Sequence, residues 1–102
     1  MLNKIIEHYG FTEQTRQAIE ELNELAVAIN KMHRDHSRIA MCNLIQEIAD
    51  VEIMIAQIKI MFNISEADVL KIKDKKIERT LRKIEKDNAA CSEISAEKIN
   101  WR

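Results

Sequence analysis

A single glycine, Gly10, and no proline in 102 residues leave this chain almost no means of turning sharply. Hairpins and sheet bends draw on those two residues, so long helices joined by few breaks are expected in place of a sheet. The length suits one domain and is short for two. A domain of this size buries only about two-thirds of the surface its unfolded chain exposes. With 46% hydrophobic residues but only 4% aromatics, its modest core must come from Ile, Leu, Val, Met and Ala.

Periodicity divides the chain into helices. A short one covers residues 2–8 and stops at Gly10. Thr12 is placed to cap a second, with Glu13 suited to its positive N-terminal dipole. From there to about Lys31, Ala18, Ile19, Leu22, Leu25, Ala26 and Ile29 recur at helical spacing and are expected to share an inward face. The polar run His33-Arg34-Asp35-His36-Ser37 reads as a loop. A third helix runs from about Arg38 to Phe62, with Leu44, Ile48, Val51, Ile55, Ile58 and Phe62 on one face. Ile45, Ile53, Ala49 and Ala56 make its other side apolar too, and a helix apolar nearly all round is buried on both sides. A second subunit is the expected source of that further burial, making a dimer or tetramer.

Asn63 can stop the third helix. Ser65 is placed to cap a fourth that runs to about Lys86, with Leu70, Ile77, Leu81 and Ile84 inward. In residues 88–102 Ser92 is placed to cap a last short helix and the tail to dock on a partner; Trp101 reads as a terminal anchor or a disordered end, ahead of a contact with a neighbouring subunit's base site. The expected class is all-α, an antiparallel four-helix-type bundle in one domain, with a core of about residues 10–86 and a tail of 87–102.

A net charge of −1 carries no global signal for a nucleic acid polymer. The charge is unevenly spread. Residues 71–86 hold eight basic side chains against three acids, which makes that segment +5 and leaves −6 for the rest. Cys42 and Cys91 lack a CxxC spacing and read as reduced thiols of a cytoplasmic protein, Cys42 half-buried. The stretch MLNKIIEHYG is too short and polar for a signal peptide, and no apolar run approaches the ~20 residues that span a bilayer.

Chemistry concentrates in two segments, Glu20-Glu21-Leu22-Asn23-Glu24 and Glu47-Ile48-Ala49-Asp50. Each supplies two acids at i, i+3, which share a helix face. On a helical wheel Glu21 and Glu24 lie in one stripe with Gln14, Gln17 and Ala28. Glu47 and Asp50 border the apolar face of their helix, beside Met54, Gln57 and Met61. If the helices pack antiparallel the two pairs converge, and converging carboxylates repel unless a cation sits among them. Oxygen ligands without His or Cys select Mg2+, or Mn2+, and such ions keep positions open for water and phosphate.

EELNE followed after 22 residues by EIAD resembles the EExxE…ExxD pattern of the MazG-like all-alpha NTP pyrophosphohydrolases. The likeness extends to Gln14-x-x-Gln17-x-x-Glu20-Glu21-x-x-Glu24-Leu25, to Asp50-Val51-Glu52-Ile53-Met54 with Phe62-Asn63-Ile64, and to Lys76-x-x-Arg79, spanning roughly residues 10–82. One departure is Gln17, where many relatives carry Lys. The resemblance implies metal ligation by Glu21, Glu24, Glu47 and Asp50. It also implies hydrolysis of a ribo- or deoxyribonucleoside triphosphate to the monophosphate and pyrophosphate. Glu20 or Glu47 would take the proton from the attacking water. Lys76 and Arg79, with Lys73, would bind phosphate, and Gln14 and Gln17 are placed to touch base or sugar.

Other features read as structure. His33 and His36 form an HxxH without further zinc ligands at suitable spacing. Neither acid pair has the Glu-x-x-His of a di-iron bundle, and the methionines read as filler. The alternatives to the enzyme are a non-catalytic helical interaction protein and a nucleotide sensor that binds without turnover.

Overall fold

The structure, a computed structural model, describes residues 1–92. It is all-helical there: α1 (Leu2–Tyr9), α2 (Phe11–Arg34), α3 (Arg38–Met61) and α4 (Glu66–Ser92), with no strand among the described residues. The chain divides into two compact units, Met1–Ser65 and the part from Glu66 onward. The expected role of Trp101 lies outside the described residues.

In the first unit α2 and α3 form a helical hairpin, and α1 packs on both. Gln14 meets Gln57, and Glu21 lies beside Asp50. Positions therefore rise on α2 as they fall on α3, which makes the pair antiparallel. Phe11 and Phe62 close one end of the hairpin edge to face, with ring centroids 5.1 Å apart.

The junctions follow from single residues. Gly10 adopts φ 89° and ψ 161°, a region that side chains with a Cβ avoid. It ends α1, with its N–H donating to the Ile6 carbonyl over 2.8 Å, and it precedes α2 directly. Thr12 is therefore inside α2 and caps nothing, because the glycine turns the chain in one step. The α2–α3 link is shorter than the polar run suggests. His33 and Arg34 still belong to α2, and only Asp35, His36 and Ser37 connect. Ser37 caps α3 by accepting from the Ala40 N–H at 3.1 Å, while Asp35 accepts from the Ser37 N–H and hydroxyl at 2.9 and 3.0 Å. Asn63, at φ 52°, ends α3. The Ile64 N–H reaches back to the Lys59 carbonyl at 2.8 Å and the Asn63 N–H to that of Ile60 at 3.3 Å, a Schellman stop.

The packed faces are not the ones the apolar residues alone suggest. On α2 the buried residues are Gln14, Ala18 and Ala28, with Glu21 and Leu25 half-buried in the same stripe. Ile19, Leu22, Ala26 and Ile29, expected inward, are exposed; Ile19 is 61% accessible. On α3, Ala40, Val51, Met54 and Gln57 are buried, whereas Ile48 and Ile55 are exposed. The α2–α3 contact thus runs along a stripe of small residues, Val51 and site residues, whereas Ile19, Leu22, Ile29, Ile48 and Ile55 stay exposed. Cys42, expected half-buried, is exposed, as is Cys91, and both are free thiols.

In the second unit, α4 continues past the expected end near Lys86 to Ser92; the last short helix expected after Ser92, and the docking of that tail, lie outside the described residues. Glu66 and Asp68 occupy its first turn, where they complement the helix dipole. Leu70, Ile77, Leu81 and Ile84 are exposed rather than inward.

Candidate metal centre

The hairpin brings three of the four expected metal ligands together. Glu21 from α2 and Glu47 and Asp50 from α3 each offer an oxygen, and these atoms all lie within 4.8 Å of one another. Among the described residues no other group of three or more His, Cys, Asp or Glu side chains is so gathered. Two oxygens on opposite sides of an octahedral Mg2+ stand about 4.2 Å apart, from bonds of roughly 2.1 Å.

Two observations test whether these residues suit a cation. Glu21 Oε2 and Glu47 Oε2 are buried and lack any hydrogen-bond partner. A buried carboxylate oxygen without a donor carries an uncompensated desolvation cost, and a divalent ion would remove it for both at once. Burial also pushes the Glu21 carboxyl above its ordinary pKa, and the nearby charges of Glu24 and Asp50 add to the rise. A hydrogen bond from Gln17 Nε2 to Glu21 Oε1, 2.7 Å long, works against it. The donor set is all oxygen and anionic, which fits Mg2+ or Mn2+.

Glu24 is not part of this trio. Its carboxylate is near enough to Glu21 to raise that group's pKa, and with Glu47 it lines an adjoining depression of about 320 Å3. Glu20, the other expected catalytic carboxylate, is exposed and lines neither hollow.

Beside the acids, a cleft of about 510 Å3 opens between α1, α2 and α3. Gln14, Gln17, Glu21 and Asp50 line it as the stripe arrangement implies, together with Gln57, placed beside Asp50 by the sequence but given no role, and Tyr9, which the sequence did not single out. Gln57 is 2% exposed and Gln14 6%, and Gln14 Nε2 donates to Gln57 Oε1 over 2.7 Å. Gln57 had a readable signal: it stands seven residues beyond Asp50 on α3, as Gln14 stands seven before Glu21 on α2. Antiparallel helices put such positions opposite each other. Tyr9 had none, because its place depends on the Gly10 turn.

The expected phosphate-binding residues all lie on α4. Lys76 and Arg79 line a groove of that helix with Ile72, Lys75, Glu78 and Arg82, where Arg82 pairs with Glu78 at 3.7 Å. Lys73 is exposed and outside the groove. His33 and His36 are exposed and belong to no ligand cluster among the described residues. No described helix is long and apolar enough to cross a membrane. No family model matches the chain, and neither a curated protein nor a solved structure matches it.

Proposed function

We propose that this protein is a Mg2+-dependent nucleoside triphosphate pyrophosphohydrolase of the MazG-like kind, working as a homo-oligomer. The observation that carries the reading is the pair of buried, partnerless carboxylate oxygens of Glu21 and Glu47 in an acidic trio at the edge of a cleft. Such a trio is costly without a cation and useful with one. Its side chains would hold an ion through Glu21, Glu47 and Asp50, and the sequence resemblance adds Glu24 as a ligand. When bound there, Mg2+ would supply positive charge beside phosphate oxygens and lower the pKa of water.

The chain's own groups have separate tasks in this reading. Gln17 orients Glu21 and keeps its carboxylate available as a ligand. A carboxylate outside the trio, Glu20 by its place in the sequence, takes the proton released as water attacks in line. The α–β phosphoanhydride bond breaks, giving the monophosphate and pyrophosphate. Lys76 and Arg79, with Lys73, are assigned to the phosphates on the sequence resemblance alone.

The outward stripes Ile19, Leu22 and Ile29 on α2 and Ile45, Ile48 and Ile55 on α3 support the oligomer. Contiguous apolar surface of this kind marks interaction sites. The same stripes favour a second reading, a helical interaction protein without catalysis. One experiment separates the two: pyrophosphate release from a panel of ribo- and deoxyribonucleoside triphosphates, with and without Mg2+, for wild type and Glu47→Gln. Mg2+-dependent release abolished by the substitution supports the enzyme. No release from folded protein on any substrate sinks it and leaves the interaction protein or a nucleotide sensor without turnover.

A further inference from the structure

The floor of the cleft holds a buried amide pair that the metal chemistry does not use. Gln14 and Gln57 are both more than nine-tenths buried, both line the cleft next to Glu21 and Asp50, and they are joined by one hydrogen bond. That bond uses one end of each carboxamide. The other ends are an acceptor oxygen on Gln14 and a donor nitrogen on Gln57, so the two cleft-lining residues carry one acceptor and one donor outside their mutual bond. Tyr9, Ile53 and Met54 supply apolar and aromatic wall around them, the mixture typical of a small-molecule pocket of a few hundred Å3.

An amide pair has a property that other donor–acceptor edges lack. Turning both side-chain amides by half a rotation exchanges oxygen for nitrogen in each. Gln57 Nε2 then donates to Gln14 Oε1, and the ends left over are a donor on Gln14 and an acceptor on Gln57. Both states keep the mutual hydrogen bond and bury the same groups, so neither is favoured by desolvation. Which one is occupied is decided by whatever completes the network. A ligand with donor and acceptor side by side selects one state, and its mirror selects the other.

Nucleobases differ in this way along their pairing edges. Cytosine presents an amino donor beside a ring-nitrogen acceptor; uracil presents a keto acceptor beside a ring N–H donor. Adenine and guanine repeat the contrast. We infer that the Gln14–Gln57 pair is the base-reading element of this cleft. By flipping in concert it accepts amino and keto bases in one pose, so the site is tolerant of base identity. This rests on the nucleotide-hydrolase reading for its ligand class.

The test is a 15N NMR titration of the full chain with dCMP and then dUMP in the presence of Mg2+, following the side-chain amides of Gln14 and Gln57. In a shared pose the nitrogen that meets the base belongs to one glutamine with dCMP and to the other with dUMP. The expected result is that each ligand shifts a different glutamine's Nε2 signal. The same glutamine responding to both ligands, or neither responding, overturns the inference. Pyrophosphate release measured on the same preparation separates the two claims. Release without the exchange of signals sinks only the amide switch; exchange without release keeps the switch and sinks catalysis.

Discussion

Gln17 donates from Nε2 to Glu21 Oε1 across 2.7 Å, one turn apart on α2, while Glu21 Oε2 stays buried without a partner. The amide satisfies one oxygen and helps hold the carboxylate ionised against burial and the charges of Glu24 and Asp50. Partners of this kind, one step removed from a metal, typically alter affinity by about 10- to 100-fold when removed. Gln17→Leu is therefore expected to weaken Mn2+ binding by about tenfold while the protein stays folded, as read by calorimetric titration. Unchanged affinity would show that Glu21 needs no such support.

The raised pKa of Glu21 sets the sign of a pH effect. Its folded-state pKa lies above the unfolded value because burial disfavours the charge. Below the unfolded value both states hold the proton and no penalty exists. As pH rises through the window between the two values, the unfolded chain gives up its proton first, and folding loses stability; above the folded pKa the loss is complete. Metal-free wild type should thus lose stability as pH rises through that window. Glu21→Gln should flatten the profile and be the more stable of the two at neutral pH. Added Mg2+ should raise the melting temperature of wild type and not of the variant. Melting curves across pH, with chelator and with Mg2+, check all three; a variant less stable than wild type at neutral pH in chelator contradicts the account.

The meeting of the three acids was legible in the sequence, whereas the packed faces were less so, and one physical cause explains both. An i, i+3 pair on each of two long helices leaves few ways to place four acids, and Glu21, Glu47 and Asp50 meet once the hairpin forms. Glu24 falls outside: it lies almost a turn further along α2 and lines a separate depression with Asn43 and Glu47 that Asp50 does not line. Apolar periodicity, by contrast, reports every face a side chain will bury without saying against what. Ile19, Leu22, Ile48 and Ile55 announced a buried face, yet α2 and α3 meet through Ala18, Ala28, Ala40 and Val51, whose small size lets the helices approach. Local signals at the junctions fared by type: Asn63 stopped α3 as its tolerance of positive φ allows, whereas Gly10 displaced the expected Thr12 cap.

Gly10 gives a stability prediction independent of function. A Cβ added there would meet nothing within 4 Å, so space is not the constraint. Its φ of 89° with ψ of 161° is a region occupied almost only by glycine, and forcing another residue into it costs about 1–3 kcal/mol. Gly10→Ala should lower the unfolding free energy by that amount in urea titration. Because the turn sets Tyr9 over the cleft, the substitution should also weaken nucleotide binding more than Mn2+ binding. Equal loss of both would show that α1 does not contribute to the cleft.

The exposed stripe of α3 tests the oligomer. Ile45, Ile48 and Ile55 recur at helical spacing, and each leaves 42% or more of its surface accessible. Burying the remaining half of such a side chain is worth about 1 kcal/mol, so three on each of two copies offset a good part of the entropy lost on association. A charge at the centre of such a contact has no compensating partner when desolvated. Ile48→Glu should therefore shift the protein from dimer or tetramer to monomer in sedimentation velocity. Gln46→Glu, at an exposed polar position on the same helix, should leave the assembly intact. Helical content by circular dichroism should be the same in both, which separates lost association from lost folding. A monomeric wild type would remove a second copy as the occupant of the stripe; an oligomer indifferent to Ile48→Glu would move the contact to the apolar face of α2.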